Sequence, residues 1–128
     1  MVRPSIRRGG FTLIEVLVVL AIVATLLLLA MPRYSQSVRH AQERVLVENL
    51  RVTRDAIDKY FADRRRYPAS LLELVENGYL KTQPFDPIAD SYQAWLLIAP
   101  KQGFDGQVAD IKSGAEGSTH EGRPLSEL

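Results

Sequence analysis

Glu15 is the single ionisable side chain between Phe11 and Met31, in the run FTLIEVLVVLAIVATLLLLAM. A carboxylate inside hydrocarbon costs a few kcal/mol on insertion scales, so a chain that keeps one there keeps it for a partner. Elsewhere the residues that could do chemistry do not assemble into a reaction centre. His40 and His120 are the only histidines and lie far apart in sequence, as solvated surface histidines do. Ser118-Thr119-His120 lacks the spacing of a nucleophile elbow, and Asp86 and Asp90 have no base or nucleophile beside them. With no cysteine, the chain has no thiolate, disulfide or cysteine metal site. Arg64-Arg65-Arg66 could hold a phosphate or lipid headgroup, but three cations before Tyr67-Pro68 better suit the carboxyl end of a helix dipole. The expectation is a protein with no catalytic residues and no metal ligands, not an enzyme.

The element that carries Glu15 is a helix from 11 to 31. At 1.5 Å per residue it is about 31 Å long, enough to span a bilayer. Arg3, Arg7 and Arg8 precede it, and no acid occurs in the first ten residues, which orients the amino end to the cytoplasm. A secretory signal peptide has a shorter apolar core followed by a small-residue cleavage site, whereas this run ends in Met31-Pro32-Arg33. A plain signal anchor has no use for Glu15, nor for Gly9-Gly10, which weaken a helix where it enters the membrane.

Gly10-Phe11-Thr12-Leu13-Ile14-Glu15 resembles the prepilin signature of type IV pilins and of the pseudopilins of type II secretion. The resemblance implies cleavage by a prepilin peptidase between Gly10 and Phe11, N-methylation of Phe11, and a filament-assembly role for Glu15 and Phe11. It also implies a helix break at Pro32. From these follow a cleaved basic leader (1–10), a transmembrane and filament-core helix (11–31), an amphipathic continuation (32–66) and a small globular periplasmic region (67–128) with a polar tail.

Removing Arg3, Arg7 and Arg8 leaves 13 basic against 15 acidic groups, a formal charge of −2, which does not suggest a nucleic-acid binder. Pro32 lacks the N–H for residue 28, so the long helix is predicted to kink or open near Leu28 to Pro32. Beyond it, Val38, Ala41, Val45, Val52, Ala56 and Tyr60 form one apolar stripe, with Leu46, Leu50, Ile57 and Phe61 beside it. Arg39, Glu43, Arg44, Glu48, Arg51, Asp55 and Asp58 make a mixed-charge face, expected to be solvated.

After Pro68, Ser70 and Glu73 form a capping box, and Gly78 offers the left-handed stop of a two-turn helix. The loop Lys81 to Ser91 carries Pro84 and Asp86-Pro87. Tyr92 to Ile98 and Gln107 to Lys112 are predicted strands of a hairpin, and Trp95 is predicted core. From Ser113 to Leu128 the chain is polar and expected to be a loosely docked tail. The fold class is therefore α+β and pilin-like: a long N-terminal helix, transmembrane in its first half, packed on a short helix and a small antiparallel sheet.

Arg-Tyr-Pro at the helix end and Asp86-Pro87 are similar to G-type major pseudopilins in particular. In those proteins a Ser-Gly-Ala-like segment precedes an aspartate-rich calcium loop. Here Ser113-Gly114-Ala115 is followed only by Glu116, Glu121 and Glu127, a poor donor set for calcium, so no cofactor is expected. The resemblance implies a structural subunit of a type II secretion pseudopilus, drawn from the inner membrane into a periplasmic filament. Its partners would be further copies of itself, other pseudopilins, prepilin peptidase, and the inner-membrane assembly platform with its ATPase. A type IV pilus subunit, major or minor, is the alternative within the class. A membrane-anchored periplasmic enzyme or binding domain is the alternative outside it.

Overall fold

Helix α1, Leu13–Arg64, carries two apolar patterns end to end in a computed structural model that describes residues 2–4 and 9–128. The expectations placed on Arg7 and Arg8 lie outside the described residues. The chain divides into two units, Met1–Ser37 and Val38–Leu128, with α1 running from one into the other. In the first unit the helix is exposed throughout, and between Val16 and Met31 it is apolar on all sides but for Thr25. No turn of it finds a core to cover.

The helix runs unbroken through Pro32, so the opening predicted at Leu28 to Pro32 is not a feature of the chain by itself. A proline removes one intrahelical hydrogen bond, while the surrounding turns keep theirs. Ser35 Oγ donates to the Pro32 carbonyl at 3.0 Å, giving that turn a side-chain contact of its own.

In the second unit α1 is amphipathic, but its buried face differs from the predicted stripe. Glu43, Leu46, Leu50, Thr53, Ala56, Ile57 and Tyr60 are buried, whereas Val38, Val45 and Val52 are exposed. α1 ends at Arg64, two residues before the expected boundary, because Arg65 turns into the left-handed region at φ 57°.

Helix α2, Leu71–Glu76, is bounded as its capping residues predict. Ser70 Oγ accepts from the Glu73 N–H at 3.2 Å, and Gly78, at φ 79°, closes the far end where Tyr79 N–H returns to the Leu74 carbonyl at 2.8 Å. The Glu73 carboxylate reaches back one residue further than a simple box, accepting from Ala69 N–H at 2.6 Å. It also accepts from Tyr60 Oη at 2.6 Å and from Arg66 at 2.8 Å, tying the end of α1 to the start of α2. The hydrogen bond from Tyr60, then those from Ala69 and Arg66, hold its carboxyl down at about 2 despite the opposing effect of burial.

Strands β1, Trp95–Ile98, and β2, Asp110–Ser113, pair antiparallel with Trp95 opposite Ser113 and Ile98 opposite Asp110. Both are shorter than predicted. Residues 105–108 turn aside to bond the backbone at 67 and 68 instead, through Tyr67 N–H to Asp105 O and Val108 N–H to Pro68 O. That approach requires glycine at 106, where a Cβ would lie 2.2 Å from the Tyr67 carbonyl oxygen.

Trp95 is core as expected, clustering with Leu46, Leu50, Ile57, Leu74, Val108, Ile111 and Leu125, and its indole N–H donates to the Pro84 carbonyl at 2.9 Å. Asp86 is fully buried beside it. Its Oδ1 accepts from the N–H groups of Ile88 and Ala89, both at 2.9 Å, and its Oδ2 accepts from Ser113 Oγ at 2.5 Å. Asp86 therefore shapes the proline-rich loop and fastens it to β2.

The C-terminal segment corrects the expectation of a loose tail. Leu125 is completely buried and opens a 3-10 turn, Leu125–Glu127, and Arg54 donates to Asp110, to the Ile111 carbonyl and to the Leu128 carbonyl at 2.7–2.8 Å. One apolar anchor and one guanidinium suffice to dock an otherwise polar stretch, because Arg presents several donors in a rigid fork.

Candidate functional site

Gly9 and Gly10 lie outside helical structure, and neither would bring a Cβ within 4 Å of another atom. Phe11 follows, 86% exposed. The Gly10-Phe11 bond thus lies in open, non-helical backbone, the form in which a protease can engage a peptide from both sides.

Two residues later the helix starts. Thr12 Oγ1 accepts from the Glu15 N–H and Glu15 Oε2 accepts from the Thr12 N–H, both at 3.3 Å. This is a reciprocal capping box, and it satisfies two of the donors a helix start leaves open. A carboxylate in the first turn also meets the positive end of the helix dipole. The structure therefore brings Glu15 together with Thr12 and leaves its other oxygen available. The free amine expected of Phe11 does not exist while Gly10 is attached.

Downstream of Glu15 the span is apolar apart from Thr25. α1 contains the one helix segment among the described residues long and apolar enough to cross a membrane, with a mean hydropathy of 3.0 and none of it buried. Thr25, the one hydroxyl within this span after the cap, donates to the Ala21 carbonyl at 2.8 Å and so demands nothing from the surroundings. Pro32 is seventeen positions beyond Glu15 and takes no part in the capped turn.

The tail does not offer calcium a suitable cage. Glu116, Glu121 and Glu127 are each exposed, Glu121 faces the His120 ring at 3.8 Å, and among the described residues no three metal-ligating side chains converge. A hard cation needs several oxygens from a short loop. The residues present do not fit it.

One acidic residue has a role the linear pattern hid. Glu43, placed by its charge on the solvated face, is buried and bonded to His120, and the two histidines meet with ring centroids 4.4 Å apart. Glu43 could have been found by spacing: it starts the series 43, 46, 50, 53, 57, 60, whose other members are all buried.

Residues 6–31 match the family model described as the prokaryotic N-terminal methylation motif. The type II secretion system core protein G of Klebsiella pneumoniae is 32% identical over 127 aligned positions, covering 87% of each chain. Its counterpart in Pseudomonas aeruginosa is 31% identical over 115 positions, covering 77% of this chain and 80% of the relative. The competence protein ComGC of Halalkalibacterium halodurans is 30% identical over 81 positions, covering 63% and 79%. No solved structure matches.

Proposed function

We propose that this chain, which belongs to the family of type II secretion system core protein G, is a structural subunit of a type II secretion pseudopilus that drives protein export. The observation that carries the reading is the exposed apolar span of α1, none of it buried, with a carboxylate in its first turn. Such a surface is stable only in a bilayer or against like helices, and a filament supplies the second environment after the first. The processing motif and the family similarity support further roles. Prepilin peptidase cuts between Gly10 and Phe11, Phe11 is N-methylated, and Glu15 then pairs with the new amine of its own or a neighbouring subunit. The chain begins as a single-pass inner-membrane protein with its amino end cytoplasmic and its carboxyl-terminal unit periplasmic. An inner-membrane platform and its ATPase transfer it into a periplasmic filament with other pseudopilins.

Intact-mass measurement on protein extracted from membranes of cells with active peptidase tests the processing. The expected mass is that of residues 11–128 plus one methyl group, and Gly10→Leu is expected to retain the leader. A full-length mass for the parent chain would overturn the reading.

The helix opening at Leu28 to Pro32 belongs, in this proposal, to the assembled state, where lateral packing compensates for the bonds Pro32 cannot make. A map of the filament is expected to show non-helical backbone there in the parent chain and continuous helix in Pro32→Ala. An unbroken helix in the parent filament would refute it.

A further inference from the structure

Segment 114–128 is fixed at its start, middle and end by groups of the chain itself. At its start, Gly114 N–H donates to the Ala94 carbonyl at 2.7 Å and Ala115 N–H to Ser113 Oγ at 3.1 Å. In its middle, His120 N–H donates to both oxygens of the buried Glu43 carboxylate at 3.0 and 3.2 Å. At its end, Leu125 is completely buried and the Leu128 carbonyl accepts from Arg54 Nη2 at 2.7 Å. Glu43 and Arg54 lie about three helical turns apart, so one face of α1 offers the segment first an anion and then a cation.

Arg54 gathers oxygens as an ion would. Its Nε donates to Asp110 Oδ1 at 2.8 Å and its Nη2 to the carbonyls of Ile111 and Leu128 at 2.8 and 2.7 Å, so one positive charge holds a carboxylate and two carbonyls from separate stretches of chain. Carboxylate and carbonyl oxygens are the set a hard cation takes. Here those oxygens are already engaged, and a divalent ion reaching for them would meet a fixed positive charge at contact distance. The segment's own acids take no share in the docking. Glu116 and Glu127 are exposed and make no side-chain hydrogen bond among the described residues, and Glu121, also exposed, lies 3.8 Å from the His120 ring.

We propose that Arg54 is a tethered cation, standing where a loop-bound divalent ion would otherwise gather β2 and segment 114–128, and that the order of this segment is therefore independent of calcium. A guanidinium suits the part because its planar fork aims several donors at once and its charge is permanent. Being part of α1, it can be neither diluted away nor chelated. The surface formed by 114–128 is accordingly set by the folding of the chain and not by the metal content of the compartment.

Amide hydrogen exchange on the full chain in detergent micelles tests this. Protection of peptides from 114–128 is expected to be the same, within about twofold, in a chelator and in about 5 mM calcium. Arg54→Met keeps an apolar stem and removes the charge with its donors, and is expected to lower that protection by about tenfold while peptides from 71–76 keep theirs. Arg54→Lys, which restores the charge without the fork, is expected to lose no more than about threefold. A gain with calcium beyond the twofold range in the parent chain, read without any variant, would overturn the proposal. Equal protection in Arg54→Met and Arg54→Lys would overturn it too, since the contact would then belong to the stem and not to the charge.

Discussion

Glu15→Leu is expected to insert in the membrane and be processed normally, yet to yield no filament and no secretion, although it makes the span more apolar. In the proposed function, leader removal would give Phe11 a cationic amine at the edge of the apolar core, one helical turn from Glu15. In a low-dielectric environment the pairing decides between two isolated charges and one compensated pair. Removing one partner leaves the other buried and alone, at a cost of about 3–5 kcal/mol per subunit. The capping box adds a reason why a side-chain acceptor stands there. Glu15 already bonds the backbone N–H of Thr12, so it is held at the helix start, where the proposed cleavage would place the amine. Glu15→Gln preserves much of the cap but not the charge, and is expected to assemble as poorly as Glu15→Leu. Filament yield by subunit cross-linking in isolated cell envelopes and secretion by assay of the medium read the outcome. Normal yield from Glu15→Leu would remove the charge-pair mechanism.

Glu73→Ala is expected to destabilise the C-terminal unit by about 3 kcal/mol, and chiefly above pH 4.5. The carboxyl titrates at about 2 in the folded chain against 4.5 ordinarily, a difference equivalent to about 3 kcal/mol. The side chain is only 19% exposed, so solvent screening takes little from that figure. Because the folded value is depressed, the stabilisation is complete above the unfolded value and is lost as pH falls from about 4.5 toward 2. Urea unfolding followed by circular dichroism checks both statements. The parent chain is expected to weaken more steeply across that acid window than the variant, in which only the other depressed carboxyls, Glu43 among them, still titrate. Burial, and secondarily the bond to Glu73, raises the Tyr60 hydroxyl's own ionisation, so it remains a donor throughout. Equal stability of parent and variant at pH 7 would show that the three donors on Glu73 are replaced by water without loss.

What was legible from the sequence was local. The apolar span with its one acid, the Ser70 cap and the Gly78 stop depend on residues within a turn or two of each other, and their physics acts at that range whatever the rest of the chain does. The hairpin and buried Trp95 were legible for a related reason, since a β-branched and aromatic run between turn residues has few other uses. The face of α1 that becomes core was not. The stripe through Val38, Val45 and Val52 and the one through Leu46, Leu50 and Ile57 are neighbours on the helix, and both are apolar. Only the positions of Leu74, Trp95, Ile111 and Leu125 decide which of them is covered. The same holds for the charged residues. Glu43 and His120 are 77 positions apart, and Asp86 and Ser113 are 27 apart. A carboxylate's preference for water is overruled only when donors from distant segments reach it, and no periodicity in the chain records that meeting.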